Sequence, residues 1–391
     1  MNSYESSLIQ KIGEGLDNVV LINTCAVTKE AERQCRQAIR KARKENPKAI
    51  LIAAGCAAQL NPEKYLAMPE VDRVLGNVEK LRREDLISHE KMRVSDSLDE
   101  KTENLPLVTD FEHRTRAFLQ IQQGCSHACT FCVIPQIRGK NKGLEAEQIL
   151  KQARVFTEQG YKELVLTGVD ILSYPFGFEN LVKRLLHEVD GLCRLRLGSL
   201  DPHEVSDELL SLFAKEEKLM PSVHLSAQSG DDMVLKRMGR RHTRAEVLRI
   251  CSFLKKENPD ISIGSDFITG FPTETEEMFL NTCRLVEEGQ ITHLHVFPYS
   301  ERPGTPAAKM PQVETLVRKQ RAARLRRLGD KMMRTYMERF IGQPVEVLVE
   351  TKSGGWTKNY LKAVVAGQAL EGSFVKGIVK EVSDDGLVVK A

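Results

Sequence analysis

The chain has 391 residues, of which 41% are hydrophobic and 28% charged, with a formal net charge of +3. That length suggests two or three domains with ordinary globular cores, and so small a charge does not by itself announce a nucleic-acid partner. Nine cysteines argue for metal or redox chemistry over a disulfide framework. Residues 1–15 carry Glu5, Lys11 and Glu14 and lack the apolar stretch of a signal peptide. The longest apolar run, Ile50 to Ala58, falls far short of a membrane span, so the expected location is the cytoplasm.

Residues 1–15 read as a helix, and Asn18 to Ile22 as a buried strand followed by the polar Asn23-Thr24-Cys25. Lys29 to Glu45 is an amphipathic helix, Ala49 to Ala53 a second strand ending at Gly55-Cys56, and Val71 to Leu75 a candidate third. Strands alternating with helices imply a doubly wound parallel α/β sheet covered on both faces. Ligands of such sheets gather at the carboxyl ends of strands, where Cys25 and Cys56 both stand. Either alone would be a small buried hydrophobe; two in equivalent positions favour a shared ligand. Cys35 lies mid-helix between Gln34 and Arg36 and is expected to be structural. Gly13-Glu14-Gly15 lacks the rest of a dinucleotide fingerprint. Ser88 to Arg116 is charged, loses periodicity and reads as an interdomain linker.

The central stretch is Gln122 to Pro135, with Cys125, Cys129 and Cys132 at spacing C-x3-C-x2-C. Thiolates this close suit three corners of one iron–sulfur cluster, leaving the fourth iron open. A zinc knuckle would call for a second cysteine pair nearby, and none follows. Pro135 and Gly139 bound the loop, and Gly124 frees its entry.

From Ala117, strand-like runs recur at 117–122, 163–168, 193–199, 222–228, 261–268 and 292–298, separated by helical segments such as Ala146 to Gln159. Six strand–helix units imply a parallel part-barrel with right-handed crossovers and an active site at the C-terminal strand ends. The residues there are polar or glycine: Gly124-Cys125, Thr167 to Asp170, Ser199 to Asp201, Ser226 to Gly230, Asp266 with Thr269-Gly270, and Pro298 to Ser300. Any one set alone could be a cap or turn. Six at one rim describe a site for a polar cofactor and a substrate.

A basic helix follows, Gln312 to about Arg339, carrying Arg318, Lys319, Arg321, Arg324, Arg326, Arg327, Lys331 and Arg334. It reads either as a solvated face or as a phosphate contact. Gln343 to Ala391 alternates in the manner of a small β-barrel or sandwich, a form that often binds nucleic acid on one face. Trp356, the only tryptophan, either stacks on a base, worth about 1–3 kcal/mol, or covers the small barrel's core.

These residues resemble one family. CSHACTFCVIPQIRGKNK is similar to the cluster loop of the radical S-adenosylmethionine (SAM) enzymes called methylthiotransferases. INTCAVTKEAERQ and AAGCAAQ resemble that family's N-terminal domain, and HLSAQSGDDMVLKRMGRRHTR, DFITGFPTETEEMF and HVFPYSERPGTPAAKM resemble its barrel. The last stretch resembles the RNA-binding TRAM module. The resemblance divides the chain into a methylthiotransferase N-terminal domain (1–95), a radical SAM (βα)6 part-barrel (112–338) and a TRAM-like β-barrel (339–391). HVFPYSERPGTPAAKM and CAVTKEAERQ look most like the subgroup acting on N6-threonylcarbamoyladenosine beside the tRNA anticodon.

The resemblance implies that Cys125, Cys129 and Cys132 hold a [4Fe–4S] cluster whose open iron chelates SAM. Reductive cleavage of SAM then yields a 5′-deoxyadenosyl radical that takes hydrogen from the target adenine carbon, C2. A second [4Fe–4S] cluster, with Cys25 and Cys56 as ligands, supports sulfur delivery, and another SAM provides the methyl group. By position, Thr167, Gly168, Asp170, Ser199 and Gln228 are expected to line the SAM pocket. The partners implied are tRNA, an electron donor and a sulfur source, with no membrane. The family's domain opens with a strand ending in a glycine–cysteine pair, before a segment like Asn2 to Ser6. The chain is therefore expected to lack that strand and one ligand of the second cluster, through a misassigned start or a truncation, which the in-frame DNA upstream of Met1 tests. Beginning at Met1, it is expected to cleave SAM without efficient methylthiolation. Rival readings are methylthiolation of a ribosomal protein and a non-enzymatic iron–sulfur RNA-binding protein.

Overall fold

A computed structural model describes residues 2–96, 98, 105–111 and 114–390. The first sheet is parallel, with β1 (Val19–Thr24), β2 (Ile50–Gly55), β3 (Arg73–Leu75) and β4 (Met92–Arg93) in that order. The helix Lys29–Glu45 between β1 and β2 starts where the Thr28 hydroxyl accepts the Ala31 N–H. It carries Glu30 and Glu32 in its first turn and Arg43 and Lys44 in its last, charges that complement the helix dipole. In-register pairing sets Thr24 beside Gly55. The Thr24 hydroxyl donates to Ala54 O and accepts from Ala58 N–H, so the two strand ends are locked together. Gly55 has φ +94°, and a Cβ there would lie 2.3 Å from Asn23 Oδ1, so no side chain fits at this junction.

Part of the 88–116 linker reading lies outside the described residues. The rest is built into the fold: Met92 and Arg93 extend the first sheet. Gln152 exchanges hydrogen bonds with Val108 N–H and Val108 O, and Phe111 packs edge-on to Phe118 and Tyr161. The surrounding charges hid these apolar anchors from a reading based on composition.

The part-barrel uses β5 (Arg116–Gln120), a short ribbon of β6 (Gln122–Gln123) and β7 (Lys142–Gly143), then β8 (Glu163–Thr167), β9 (Arg194–Leu197), β10 (Ser199–Leu200), β11 (Ser222–Gln228), β12 (Ser262–Thr269) and β13 (His293–Pro298). Strands β5-β8-β9 and β10-β11-β12-β13 form two parallel sheets. β9 and β10 are one strand interrupted at Gly198, where a Cβ would lie 2.8 Å from Leu166 O. Six strand positions result, as the sequence pattern predicts. Helices 146–158, 178–188, 207–215, 244–257 and 276–288 alternate with the strands, and Leu119, Ile149, Phe156, Leu164, Leu225 and Phe267 fill the layer between.

The basic helix, Thr315–Glu338, packs along β13. Gly329 lets the helix lie close to the strand, because a Cβ there would come 2.8 Å from Leu294 Cδ1. Much of its charge is spent within the chain: Arg318 pairs with Glu301, Arg321 with Glu274 and Glu276, Arg324 with Glu276, and Arg326 donates to Val296 O. Lys319, Arg327 and Lys331 remain on its exposed face. The helix is chiefly a barrel element, and its arginines find acids remote in sequence.

The C-terminal strands β14 (Pro344–Thr351), β15 (Gly354–Thr357), β16 (Lys362–Ala366), β17 (Phe374–Ser383) and β18 (Gly386–Lys390) close a small barrel, ordered β14-β15-β16-β18-β17. This barrel docks under the first residues of the part-barrel strands. Arg116 of β5 bonds Glu350, Arg194 of β9 bonds Glu346 and Trp356 O, and His293 of β13 meets Tyr360 O at 3.0 Å. Trp356 stacks on Tyr360 at 4.5 Å and 15°, its Nε1–H donates to Glu350, and the Arg116 guanidinium lies over both rings. Trp356 is thus neither a free base-stacking platform nor a cover for the small barrel's core: it belongs to the contact between the two barrels. As the only tryptophan, it reports that contact. Arg116→Met should cost about 1–2 kcal/mol of docking, read as a red-shifted emission whose urea transition moves to lower denaturant. Unchanged emission would count against this account of the interface.

Candidate active site at the strand ends

The cysteine loop is pinched at its base by the β6–β7 ribbon. Gly124 has φ +72°, and a Cβ there would lie 1.9 Å from Lys140 O, while Cys125 N–H donates to Gly139 O. Each of the three sulfurs receives an N–H: His127 N–H to Cys125 Sγ at 3.4 Å, Ile134 N–H to Cys132 Sγ at 3.4 Å, and Arg240 Nη1–H to Cys129 Sγ at 3.6 Å. From the far side, Thr130 bonds Arg237 O and Met238 O. Gly239 lets the chain approach, since a Cβ there would lie 3.0 Å from Ala128 O. Burial pushes the thiol of Cys125 up to about 12 and that of Cys132 up to about 11. Their thiolates therefore form only with a compensating positive charge close by.

One amide ties this loop to the neighbouring strand end. Gln122, buried, accepts from Val169 N–H and Asp170 N–H at 3.0 and 2.9 Å and donates to Gly124 O and Asn141 Oδ1, both at 2.7 Å. Thr167, Gly168 and Asp170 therefore stand directly beside the loop. Asp170 Oδ2 lies 2.6 Å from His127 Nε2 and accepts from the Ser173 hydroxyl, and burial pushes its carboxyl up. Two strands on, the hydroxyls of Ser199 and Ser226 are 2.7 Å apart. Gln228 ends β11 with φ +64°, a conformation costly for a residue with a side chain and typical of functional sites. Arg240 spans the gap: its guanidinium reaches Cys129 Sγ, Ser226 O at 3.0 Å and Asp201 at 3.1 Å. Burial opposes ionisation of Asp201, yet His242 and Arg240 hold its carboxyl well below the usual range. Sequence reasoning placed Asp201 and Asp170 at the strand ends but missed Arg240 and the closeness of His127 to Asp170. The signal available was Gly239-Arg240-Arg241 at the end of the helix Asp232–Met238, a close-approach glycine followed by two cations.

Residues 119–286 match the Radical SAM superfamily, and residues 5–76 match Uncharacterized protein family UPF0004. The chain is 47% identical over 389 residues to the threonylcarbamoyladenosine tRNA methylthiotransferase MtaB of Rickettsia prowazekii, covering 96% of this chain and 92% of that protein. The protein of the same name from Aquifex aeolicus is 37% identical, covering 94% of this chain and 92% of that one. The chain belongs to the radical SAM methylthiotransferase family. A solved structure, the radical SAM methyltransferase TsrM of Kitasatospora setae, shares the fold with a TM-score of 0.55 at 16% identity, over 78% of this chain and 67% of that one.

This methylthiotransferase is thus a transferase whose radical SAM domain implies a [4Fe–4S] cluster and SAM. The residues present fit the cluster: three free thiols on one loop, each already receiving an N–H, as iron-bound sulfurs do. In the first sheet, Cys25 and Cys56 follow paired strand ends. Burial pushes the Cys25 thiol up, and Cys56 Sγ accepts from Arg138 Nε–H at 3.1 Å. Arg138 is buried and also bonds Glu5, which Lys80 meets at 2.9 Å. Cys35 is not isolated in its helix, since its Sγ accepts the Cys25 N–H at 3.3 Å. Among the described residues, no helix is long and apolar enough to cross a membrane. Gly124→Ala should remove most of the loop-bound iron while far-UV circular dichroism stays native, because the added methyl meets Lys140 O. Full iron per chain in that variant would refute the fit.

Proposed function

We propose that this methylthiotransferase places a methylthio group on C2 of N6-threonylcarbamoyladenosine next to the tRNA anticodon. The observation that carries this reading is the near-full-length identity to relatives bearing that name. In this reading Cys125, Cys129 and Cys132 are the ligands of the cluster that meets SAM, and Thr167, Gly168, Asp170, Ser199 and Gln228 line the SAM pocket. Cys25 and Cys56 are ligands of a second [4Fe–4S] cluster. The units 1–95, 112–338 and 339–391 act as sulfur-handling domain, radical domain and tRNA-binding domain, in the cytoplasm. An external electron donor and sulfur source serve the reaction.

When bound, the cluster and SAM supply the one-electron chemistry that activates a carbon–hydrogen bond. The chain's own residues do the positioning. Gln122 fixes the distance between the thiol loop and the Thr167–Asp170 turn. Arg240 presents cationic N–H groups to Cys129 Sγ while anchored on Asp201, which favours electron-rich sulfur at that corner. His127 Nε2 and Asp170 Oδ2 lie 2.6 Å apart at the loop edge, where Arg241 also reaches His127 Nε2 at 3.0 Å. Arg138 holds Cys56 in place through the Glu5–Lys80 network.

Mass spectrometry of tRNA nucleosides from a strain lacking the gene, with and without this chain, tests the reading. Threonylcarbamoyladenosine should convert to its methylthio derivative only in the complemented strain, and Cys129→Ala should abolish conversion. An unchanged nucleoside profile, with a methylthiolated ribosomal protein instead, would sink the tRNA assignment.

A further inference from the structure

The part-barrel carries a side-chain cluster of which the strand-end residues read from the sequence include only Asp266. His224, Asp266 and His295 come from adjacent strands β11, β12 and β13, with Asp266 in register with His295 and His224 with Gly264. Leu225, Ala227, Phe267 and Val296 point outward into the helix-covered core. By alternation along the strands, His224, Ser226, Asp266, His295 and Phe297 face the lumen. Asp266 Oδ1 lies 3.1 Å from both His224 Nε2 and His295 Nδ1, and the two imidazole rings are 4.7 Å apart. Gly264 makes room for this arrangement, because a Cβ there would lie 2.6 Å from His224 Nδ1.

Binding capacity is left over. His224 Nε2 is buried and lies off the line that a hydrogen bond to Asp266 requires, a costly state unless something else completes it. The His295 side chain is 63% exposed, and Phe297, one turn of the pleat further up β13, is 40% exposed. Burial opposes ionisation of Asp266, yet the two imidazoles hold it below the usual carboxylate range. The hydrogen bond to Asp266 in turn raises the basicity of His295. His224 lies roughly 7 Å, two residues of rise, below the Ser226 carbonyl that Arg240 grips. The lumen at this depth therefore offers a carboxylate acceptor, an exposed imidazole hydrogen-bonded to it and an aromatic face, just inside the mouth that the thiol loop guards.

We propose that His224, Asp266, His295 and Phe297 form the pocket that recognises the polar N6 side chain of the substrate adenosine. This rests on the proposed function. A ureido group with a carboxylate-bearing tail supplies N–H donors to Asp266 and an anion to the histidines, and the purine supplies a face for Phe297. An N6-alkyl group supplies none of these and would leave the buried His224 Nε2 without a partner, the kind of mismatch from which strong discrimination arises.

The test uses the cluster-loaded enzyme with two tRNA substrates, one bearing N6-threonylcarbamoyladenosine and one an N6-alkyladenosine at the same position. For His295→Phe and Asp266→Asn, the preference for the first substrate should fall about tenfold or more, the weight of one charge-assisted hydrogen bond. Methylthiolated product per SAM cleaved should fall with it. His295→Gln, which keeps a donor facing Asp266, should recover part of the preference and serves if His295→Phe does not fold. Unchanged preference in variants with a full cluster complement overturns the proposal. So does a stoichiometric zinc or manganese ion that the variants lose, which would make the triad a metal site. If the wild-type enzyme converts neither tRNA, the proposed function itself fails, a distinguishable result.

Discussion

The architecture depends on the Gln122 amide. Three sulfurs on a loop make a usable site only if that loop holds a fixed position against the strand ends that receive the cofactor. Gln122 supplies this with one buried side chain, donating to the loop at Gly124 O and accepting from Val169 and Asp170. A buried amide with all its capacity used is expensive to disturb, since each orphaned group costs about 1–3 kcal/mol. Rigidity here comes from hydrogen bonding at the loop's base, and the glycines at 124 and 239 allow the backbone to come close enough for it.

A second set of buried polar contacts links the thiol loop to the first sheet. The short helix Ile134–Arg138 begins two residues after Cys132 and ends in the arginine that bonds Cys56 and Glu5. Asn77, two residues beyond β3, donates to Ile137 O at the same junction. Breaking one partner of such a buried pair is costly because the other is left uncompensated. The two cysteine groups therefore share one rigid connection.

What was legible in the sequence follows the range of the interactions. The C-x3-C-x2-C loop, the strand-end residues and the alternation of strands with helices are local patterns, and the fold repeats them. The cysteines at 25 and 56 were legible because equivalent strand ends imply neighbouring positions. The proximity of Cys35 was not, because the 29–45 helix could have turned that residue in any direction. The same holds for Arg116 with Glu350, which only the closed fold brings together, and for the basic helix, whose acidic partners lie far back in the chain. His224, Asp266 and His295 sit on three strands with no spacing signature. Only register and alternation assemble them.

The docking of the C-terminal barrel has a consequence for traffic. By covering the strand starts at Arg116, Arg194 and His293, it plugs the end of the part-barrel opposite the thiol loop. A molecule seated at the strand ends is thereby denied an exit through the floor, and must back out on the side of the thiol loop or slip sideways between the two sheets.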